Sequence, residues 1–254
     1  MDTLLAALPL TPHQLGPVWA GVFASYIIFG IAGFGSALIA GPLLAMFMPV
    51  SSIVPMMALL DFGAASSNVL RDGRHADLTE VKRLVPLMVC GSLVGAAILL
   101  LGRPDVLQLA LGIFAIAYAV YVLSGWRSSA RFSPRAAIPF GLVGGVFSAL
   151  FGNGGFVYSI YLAGRIEAPE RIRVTTSTLL GTSTLTRVVI FAVAGVYANR
   201  SLLLMAVVLL PAMLLGTAAG RHITLRLSRA RFLRLVGVVV LGSGIALVVR
   251  WLHG

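Results

Sequence analysis

The chain has few charged residues and a single cysteine. Of its 254 residues, 11% are charged and 59% are apolar, and the mean hydropathy is +0.99. A water-soluble enzyme needs more polar surface than this composition provides. One cysteine, Cys90, excludes an intramolecular disulfide. The composition therefore predicts a polytopic membrane protein, with several stretches of about 20 apolar residues that cross the bilayer.

Histidine is also scarce, and lysine occurs once, as Lys82. The four histidines lie in loops or termini without a metal-ligand spacing, so neither a metal nor a cofactor is expected. The 19 basic residues exceed the eight acids, which in a soluble chain would suggest a nucleic-acid partner. Here they fall between apolar segments and are better explained as cytoplasmic loop charges. We expect a lipid bilayer around the chain and no nucleic acid.

The chain is predicted to be one membrane domain, 1–254. No basic residue precedes the first apolar run, so a cleaved signal peptide is not expected. The longest polar stretch, Arg71 to Arg83, is too short for a soluble domain.

Eight apolar regions can be marked, and two of them have an unusual length. The first and fifth are too long for one straight crossing and too short for two, and each has glycines near its middle. Such runs are typical of broken helices or re-entrant hairpins. The regions are 16–48, 51–70, 84–101, 106–125, 136–164, 174–198, 201–220 and 235–252.

The two overlong runs are related by an internal repeat. The segment Gly33 to Ser36 aligns with Gly152 to Gly155, which follows it by 119 positions. After an insertion of six residues the offset becomes 125. The matches at this offset are Pro86 with Pro211, Gly91 with Gly216, Gly95 with Gly220, and Gly112 with Gly237. We interpret the pattern as a duplication, with repeat 1 at about 16–126 and repeat 2 at about 136–252.

The loop charges predict that the two repeats have opposite orientations. In repeat 1, the loop 71–83 has four basic residues and the next loop has only Arg103. In repeat 2, the equivalent loop 199–200 has one and the loop 221–234 has five. Equivalent loops therefore lie on opposite sides of the membrane. The predicted fold is an all-α integral membrane protein with two inverted-topology repeats, each a broken or re-entrant helical hairpin followed by three transmembrane helices.

The glycine-rich turns of the two hairpins are candidate substrate sites. Lipid cannot satisfy the backbone groups of a turn at membrane depth, so the turn must be buried in protein or line a watery cavity. Helix N-termini there would supply partial positive charge to an anion. The alternative is that the glycines only permit close helix packing. The candidate residues are Gly33, Phe34, Gly35, Ser36, Gly152, Asn153, Gly154 and Gly155.

A dense run of hydroxyl residues follows the second hairpin. Thr175, Thr178 and Thr182 fall on one helical face, which we predict to line a polar path for the substrate. Hydrogen bonding of these hydroxyls to their own helix backbone is the alternative.

Two ionisable residues, Asp61 and Arg187, are predicted at membrane depth, in equivalent segments of the two repeats. Charges there are costly, so each needs a partner or water. Three interpretations stay open: a structural Asp61–Arg187 pair, attraction of an anionic substrate by Arg187, and proton transfer through Asp61.

These segments resemble the TauE/SafE sulfite exporter family from about Val18 to Leu247. The resemblance lies in Gly33 to Leu44, in its second copy Gly141 to Phe156, and in a Pro-x-x-x-x-Gly-x-x-x-Gly pattern that begins at Pro86 and at Pro211. It implies a secondary transporter that moves sulfite, sulfoacetate or a related small sulfur-containing anion across the bacterial inner membrane, commonly outward.

The leading hypothesis is therefore an exporter of a small sulfur-containing anion, with Asp61 as a candidate for proton coupling. We do not expect an enzyme, since intramembrane catalysis needs a second carboxylate or a histidine at depth. A membrane scaffold without transport would have no reason for a polar midplane. The sequence leaves open the anion, the direction, the coupling ion and whether the chain forms a homo-oligomer.

Overall fold

A computed structural model describes residues 12–32, 35–72, 76–125, 131–222 and 229–253, and its regular elements in these ranges are helices. Gly33 and Phe34, and parts of the predicted loops 71–83 and 221–234, lie outside the described residues. The α-helices of the described ranges are α1 (Pro12–Ala32), α2 (Ser36–Leu44), α3 (Val50–Asp72), α4 (Leu78–Leu101), α5 (Pro104–Ser124), α6 (Ala137–Phe151), α7 (Gly155–Ala163), α8 (Pro169–Val193), α9 (Arg200–His222) and α10 (Arg229–His253). Short 3-10 helices cover Pro134–Ala136 and Val196–Ala198.

Seven helical segments in the described ranges are long and apolar enough to cross a membrane. A further apolar stretch, Val50–Ala64, lies in α3. The prediction of an all-α, multi-pass membrane protein is confirmed, whereas the inverted orientation of the repeats stays a prediction. The seven segments are His13–Ile31, Leu78–Leu101, Pro104–Ser124, Pro134–Phe151, Glu170–Val193, Arg200–Gly220 and Arg234–His253.

Both overlong apolar runs are interrupted at their glycines. In the first hairpin, α1 is followed by α2, and Gly35 before α2 has a φ of 94°. In the second hairpin, α6 ends at Phe151 and is followed by Gly152, whose φ is 73°, and α7 begins at Gly155. Positive φ is strained for residues with a Cβ, which explains glycine at both turns. Each hairpin combines one arm long enough to cross the membrane with one arm of nine residues, about 14 Å long.

The helices of the described ranges form two compact units. The first unit contains α1, α2, α3 up to Met56, α5, α9 and α10; the second contains α3 from Met57, α4, α6, α7 and α8. In the first unit, α1 packs against α9 and α5 against α10. In the second, α4 packs against α6 and α8. Each unit therefore combines helices from both predicted repeats.

Glycines bring two of these helix pairs close together at matched positions. A Cβ on Gly91 of α4 would lie 2.1 Å from the carbonyl oxygen of Leu142 in α6. A Cβ on Gly216 of α9 would lie 2.5 Å from the carbonyl oxygen of Phe23 in α1. The two glycines are 125 positions apart and their partners 119, which are the two offsets of the sequence repeat. A second matched pair of contacts is Gly95 with Val146 and Gly220 with Ile27.

Candidate functional site

Asp61 of α3 and Arg187 of α8 form a buried ion pair in the second unit. Their exposed fractions are 5% and 2%. Arg187 Nη2 lies 3.6 Å from Asp61 Oδ2, and the same nitrogen donates a 3.1 Å hydrogen bond to Thr184 Oγ1. The structural pair, one of the three interpretations of these residues, is therefore formed.

The Arg187 guanidinium keeps several donors unbonded. Its Nε and Nη1 atoms are buried and have no hydrogen-bond partner among the described residues. These two atoms carry three of the five N–H groups of a guanidinium. A buried donor without an acceptor is costly, and more so when it is charged. The arrangement suits an anion with several acceptor oxygens.

Three hydroxyls from three helices lie beside this pair. Ser148 of α6 and Ser183 of α8 share a 2.6 Å hydrogen bond between their Oγ atoms. Tyr158 of α7 is fully buried, and Ser183 and Arg187 face its hydroxyl, although neither is placed in hydrogen-bonding geometry with it. Gly144 makes room for the tyrosine ring, because a Cβ there would lie 2.2 Å from its Cε1 atom. The second hairpin thus places a buried hydroxyl within electrostatic range of Arg187, with Ser183 beside it.

The turn of the second hairpin adds an amide donor. Asn153 is 3% exposed, and its Nδ2 atom has no hydrogen-bond partner among the described residues. Close packing explains Gly154, since a Cβ there would lie 2.2 Å from the carbonyl oxygen of Gly144. The N-terminus of α7 begins directly after this turn and carries partial positive charge.

A family model matches most of the chain. The family described as "Sulfite exporter TauE/SafE" matches residues 18–247, a range that includes most of the first hairpin, the whole second hairpin, Asp61 and Arg187. The chain belongs to the TauE/SafE family. The family consists of membrane transporters of the sulfite-exporter type, so the chain is a membrane protein of a transporter family. No curated protein and no solved structure matches the chain.

The predicted hydroxyl face of this TauE/SafE protein bonds mainly to backbone. Thr178 Oγ1 donates to the Val174 carbonyl at 3.0 Å, and Thr182 Oγ1 donates to the Thr178 carbonyl at 2.9 Å. Thr175 Oγ1 accepts a 2.9 Å hydrogen bond from the Asp77 N–H. The alternative explanation, hydrogen bonding to their own helix backbone, therefore describes Thr178 and Thr182 but not Thr175, whose partner lies 98 positions away. A polar path along the three residues stays a prediction.

The candidate residues of the first turn belong to the first unit. Of these, Gly35 and Ser36 lie in the described ranges, and Ser36 is 3% exposed. Gly33 and Phe34 lie outside them. The role of all four residues in substrate binding stays a prediction.

Glu80 is not predicted as a site residue by the sequence, because it falls in the polar stretch 71–83. It lies in the first turn of α4 and is 4% exposed. The segment Asp77 to Glu80 has the pattern of a helix N-cap, which predicts a local role for both acids. Instead, Glu80 bonds to Arg165, 85 positions later, and its carboxylate raises the pKa of the Arg165 guanidinium.

Proposed function

We propose that this TauE/SafE protein is a secondary transporter that exports a small sulfur-containing anion, such as sulfite or sulfoacetate, across the bacterial inner membrane. The observation that carries the proposal is the Arg187 guanidinium, buried in α8 with Nε and Nη1 unbonded among the described residues. A charged side chain at membrane depth costs about 3 kcal/mol or more, so such residues are usually functional. A bound anion would supply the acceptors that Arg187 lacks.

The unbonded donors of Arg187 and of the second hairpin favour an anion with three oxygens. Arg187 offers Nε and Nη1, and the second hairpin offers Tyr158 Oη and Asn153 Nδ2, all buried and unpartnered among the described residues. A sulfite or sulfonate group has three oxygens that can accept from such a set, whereas a carboxylate has two. The N-terminal end of α7 adds partial positive charge beside Asn153.

Proton coupling is proposed on the same ion pair. Ionised Asp61 competes with an anion for Arg187, because both are negative and the carboxylate already lies 3.6 Å from Nη2. Protonation of Asp61 would remove this competitor and favour anion binding. The anion, moving outward down its own concentration gradient, would then carry a proton outward with it.

Uptake by proteoliposomes tests this proposal. Radiolabelled sulfite and sulfoacetate are compared with acetate, with and without a pH gradient. We expect saturable uptake of the sulfur-containing anions, faster when the side that holds the anion is acidic, and little uptake of acetate. No uptake of any anion under any gradient, by protein shown to be folded, would contradict transport and favour a scaffold.

A further inference from the structure

Glu80 is a buried acid at the N-terminus of α4 whose carboxylate oxygens are both bonded. Oε1 accepts hydrogen bonds from Arg83 Nη1 at 2.8 Å and from Arg165 Nη2 and Nε at 2.9 and 3.1 Å. Oε2 accepts a 2.7 Å hydrogen bond from the Tyr161 hydroxyl. Charge-assisted hydrogen bonds of this length are among the stronger ones in proteins. Glu80 therefore joins α4 firmly to α7 and to the loop that follows α7.

Helix capping does not explain this orientation of Glu80. Asp77 Oδ1 accepts hydrogen bonds from the N–H groups of Thr79 and Glu80, so Asp77 caps α4. In a capping box, the third helical residue would return a bond to the N–H of the capping residue. Here Thr175 Oγ1 accepts from the Asp77 N–H at 2.9 Å and takes that place. The Glu80 carboxylate is left to turn inward toward the second hairpin.

The hydrogen bond to Glu80 fixes the end of a short helix that also carries a donor of the anion site. Tyr161 and Tyr158 are three residues apart on α7, which places them on the same side of the helix, and both are fully buried. A helix of nine residues is marginal by itself, so tertiary contacts determine its orientation. Tyr161 is held by Glu80 on its hydroxyl and packs against the rings of Phe132 and Phe140.

We propose that Glu80 is a positioning residue for the anion site. Through Tyr161 it sets the rotation of α7, and so holds the Tyr158 hydroxyl toward Arg187. Glu80 thereby raises the affinity for the anion without touching it. This inference rests on the proposed function, because it concerns the affinity of the anion site that Arg187 and Tyr158 form.

Binding measurements on purified protein in detergent test the inference. Calorimetric titration with sulfite and with methanesulfonate gives Kd for the native chain and for Tyr161→Phe, which removes only one hydroxyl. We expect Tyr161→Phe and Glu80→Gln to raise Kd about three- to tenfold, an effect the size of one hydrogen bond. Asp77→Asn is the matched control: it removes the Arg171 ion pair at the same end of α4, leaves the bond between Glu80 and Tyr161 in place, and should leave Kd unchanged.

A double variant separates positioning from general loss of structure. If Glu80 and Tyr161 act through Tyr158, then Tyr161→Phe should change Kd no further in a Tyr158→Phe background. An equal loss of affinity in both backgrounds, or no change of Kd in the native background, would overturn the inference and leave the transporter proposal intact. If the folded native chain binds neither anion, the proposed function fails and the inference fails with it.

Discussion

Arg187 Nη2 lies 3.6 Å from Asp61 Oδ2 while it donates to Thr184 Oγ1 at 3.1 Å, so one nitrogen of the guanidinium carries both contacts. A strong charge-assisted hydrogen bond between these groups would be about 2.7 to 2.9 Å long. Asp61 therefore offsets the charge of Arg187 without occupying its Nε and Nη1 atoms. An anion can bind to these atoms while the bond to Thr184 stays in place.

Replacing Asp61 by asparagine should strengthen anion binding and abolish the pH dependence of binding for methanesulfonate, which stays ionised at both pH values whereas sulfite itself takes up a proton. Asp61→Asn keeps the shape of the side chain and removes the competing negative charge, so Kd for sulfite should fall about tenfold, or about 1.4 kcal/mol. Acid should no longer stimulate methanesulfonate uptake. Titration calorimetry and uptake at two pH values measure both effects.

Asp105→Asn is the control for this experiment, since Asp105 is exposed and pairs with Arg103. It should behave like the native chain. If acid stimulates uptake by Asp61→Asn as much as uptake by the native chain, a residue other than Asp61 carries the proton.

The hydrogen bond between Ser148 and Ser183 should couple α6 to α8. Either serine replaced by alanine leaves a buried hydroxyl without its partner, so each variant should lose about 1 to 2 kcal/mol of unfolding free energy. The double variant should lose less than the sum of the two. Denaturant unfolding in detergent measures the four proteins, and strictly additive losses would show that the two hydroxyls do not stabilise one another.

The sequence predicts the helices and the interrupted hairpins of this fold well. Apolar runs give the order of the helices, although α4 and α10 each begin six residues before their runs. The glycines around Gly35 and Gly152 mark both turns because the backbone there needs positive φ. Asp61 and Arg187 could be recognised as unusual from their apolar surroundings alone. Their 3.6 Å separation depends on the packing of α3 and α8, which has no local signal.

Glu80 shows why part of the site could not be predicted. Its neighbours Asp77 and Thr79 form an ordinary helix start. Thr175, which accepts from the Asp77 N–H in place of Glu80, lies 98 positions from Asp77. The bond that turns Glu80 inward is therefore tertiary. Thr178 and Thr182 show the opposite limit, because helical periodicity places them on one face but does not reveal that their hydroxyls donate to backbone carbonyls.

Adding a methyl group at Gly91 should separate α4 from α6. The new Cβ would meet the Leu142 carbonyl oxygen at 2.1 Å, and a backbone atom cannot move aside as a flexible side chain can. We expect Gly91→Ala to lower the unfolding free energy by about 1 to 3 kcal/mol despite the better helix propensity of alanine. Gly216→Ala should have a similar effect in the first unit.

Gly16→Ala in α1 is the matched control, because a Cβ there has no neighbour within 4 Å. Thermal unfolding in detergent compares the variants. Equal midpoints for Gly91→Ala and Gly16→Ala would contradict close packing of α4 against α6.

The central claim is that Arg187 binds the transported anion. It is tested most directly by measuring saturable sulfite uptake into proteoliposomes that contain a variant in which both residues of the ion pair are neutral. The double variant Asp61→Asn with Arg187→Gln leaves no buried charge unpaired, so it should fold. We predict that this variant shows no saturable uptake, while Asp61→Asn protein that is shown to be folded still transports sulfite. If the folded double variant takes up sulfite with the same saturation as the native chain, the anion does not bind at Arg187.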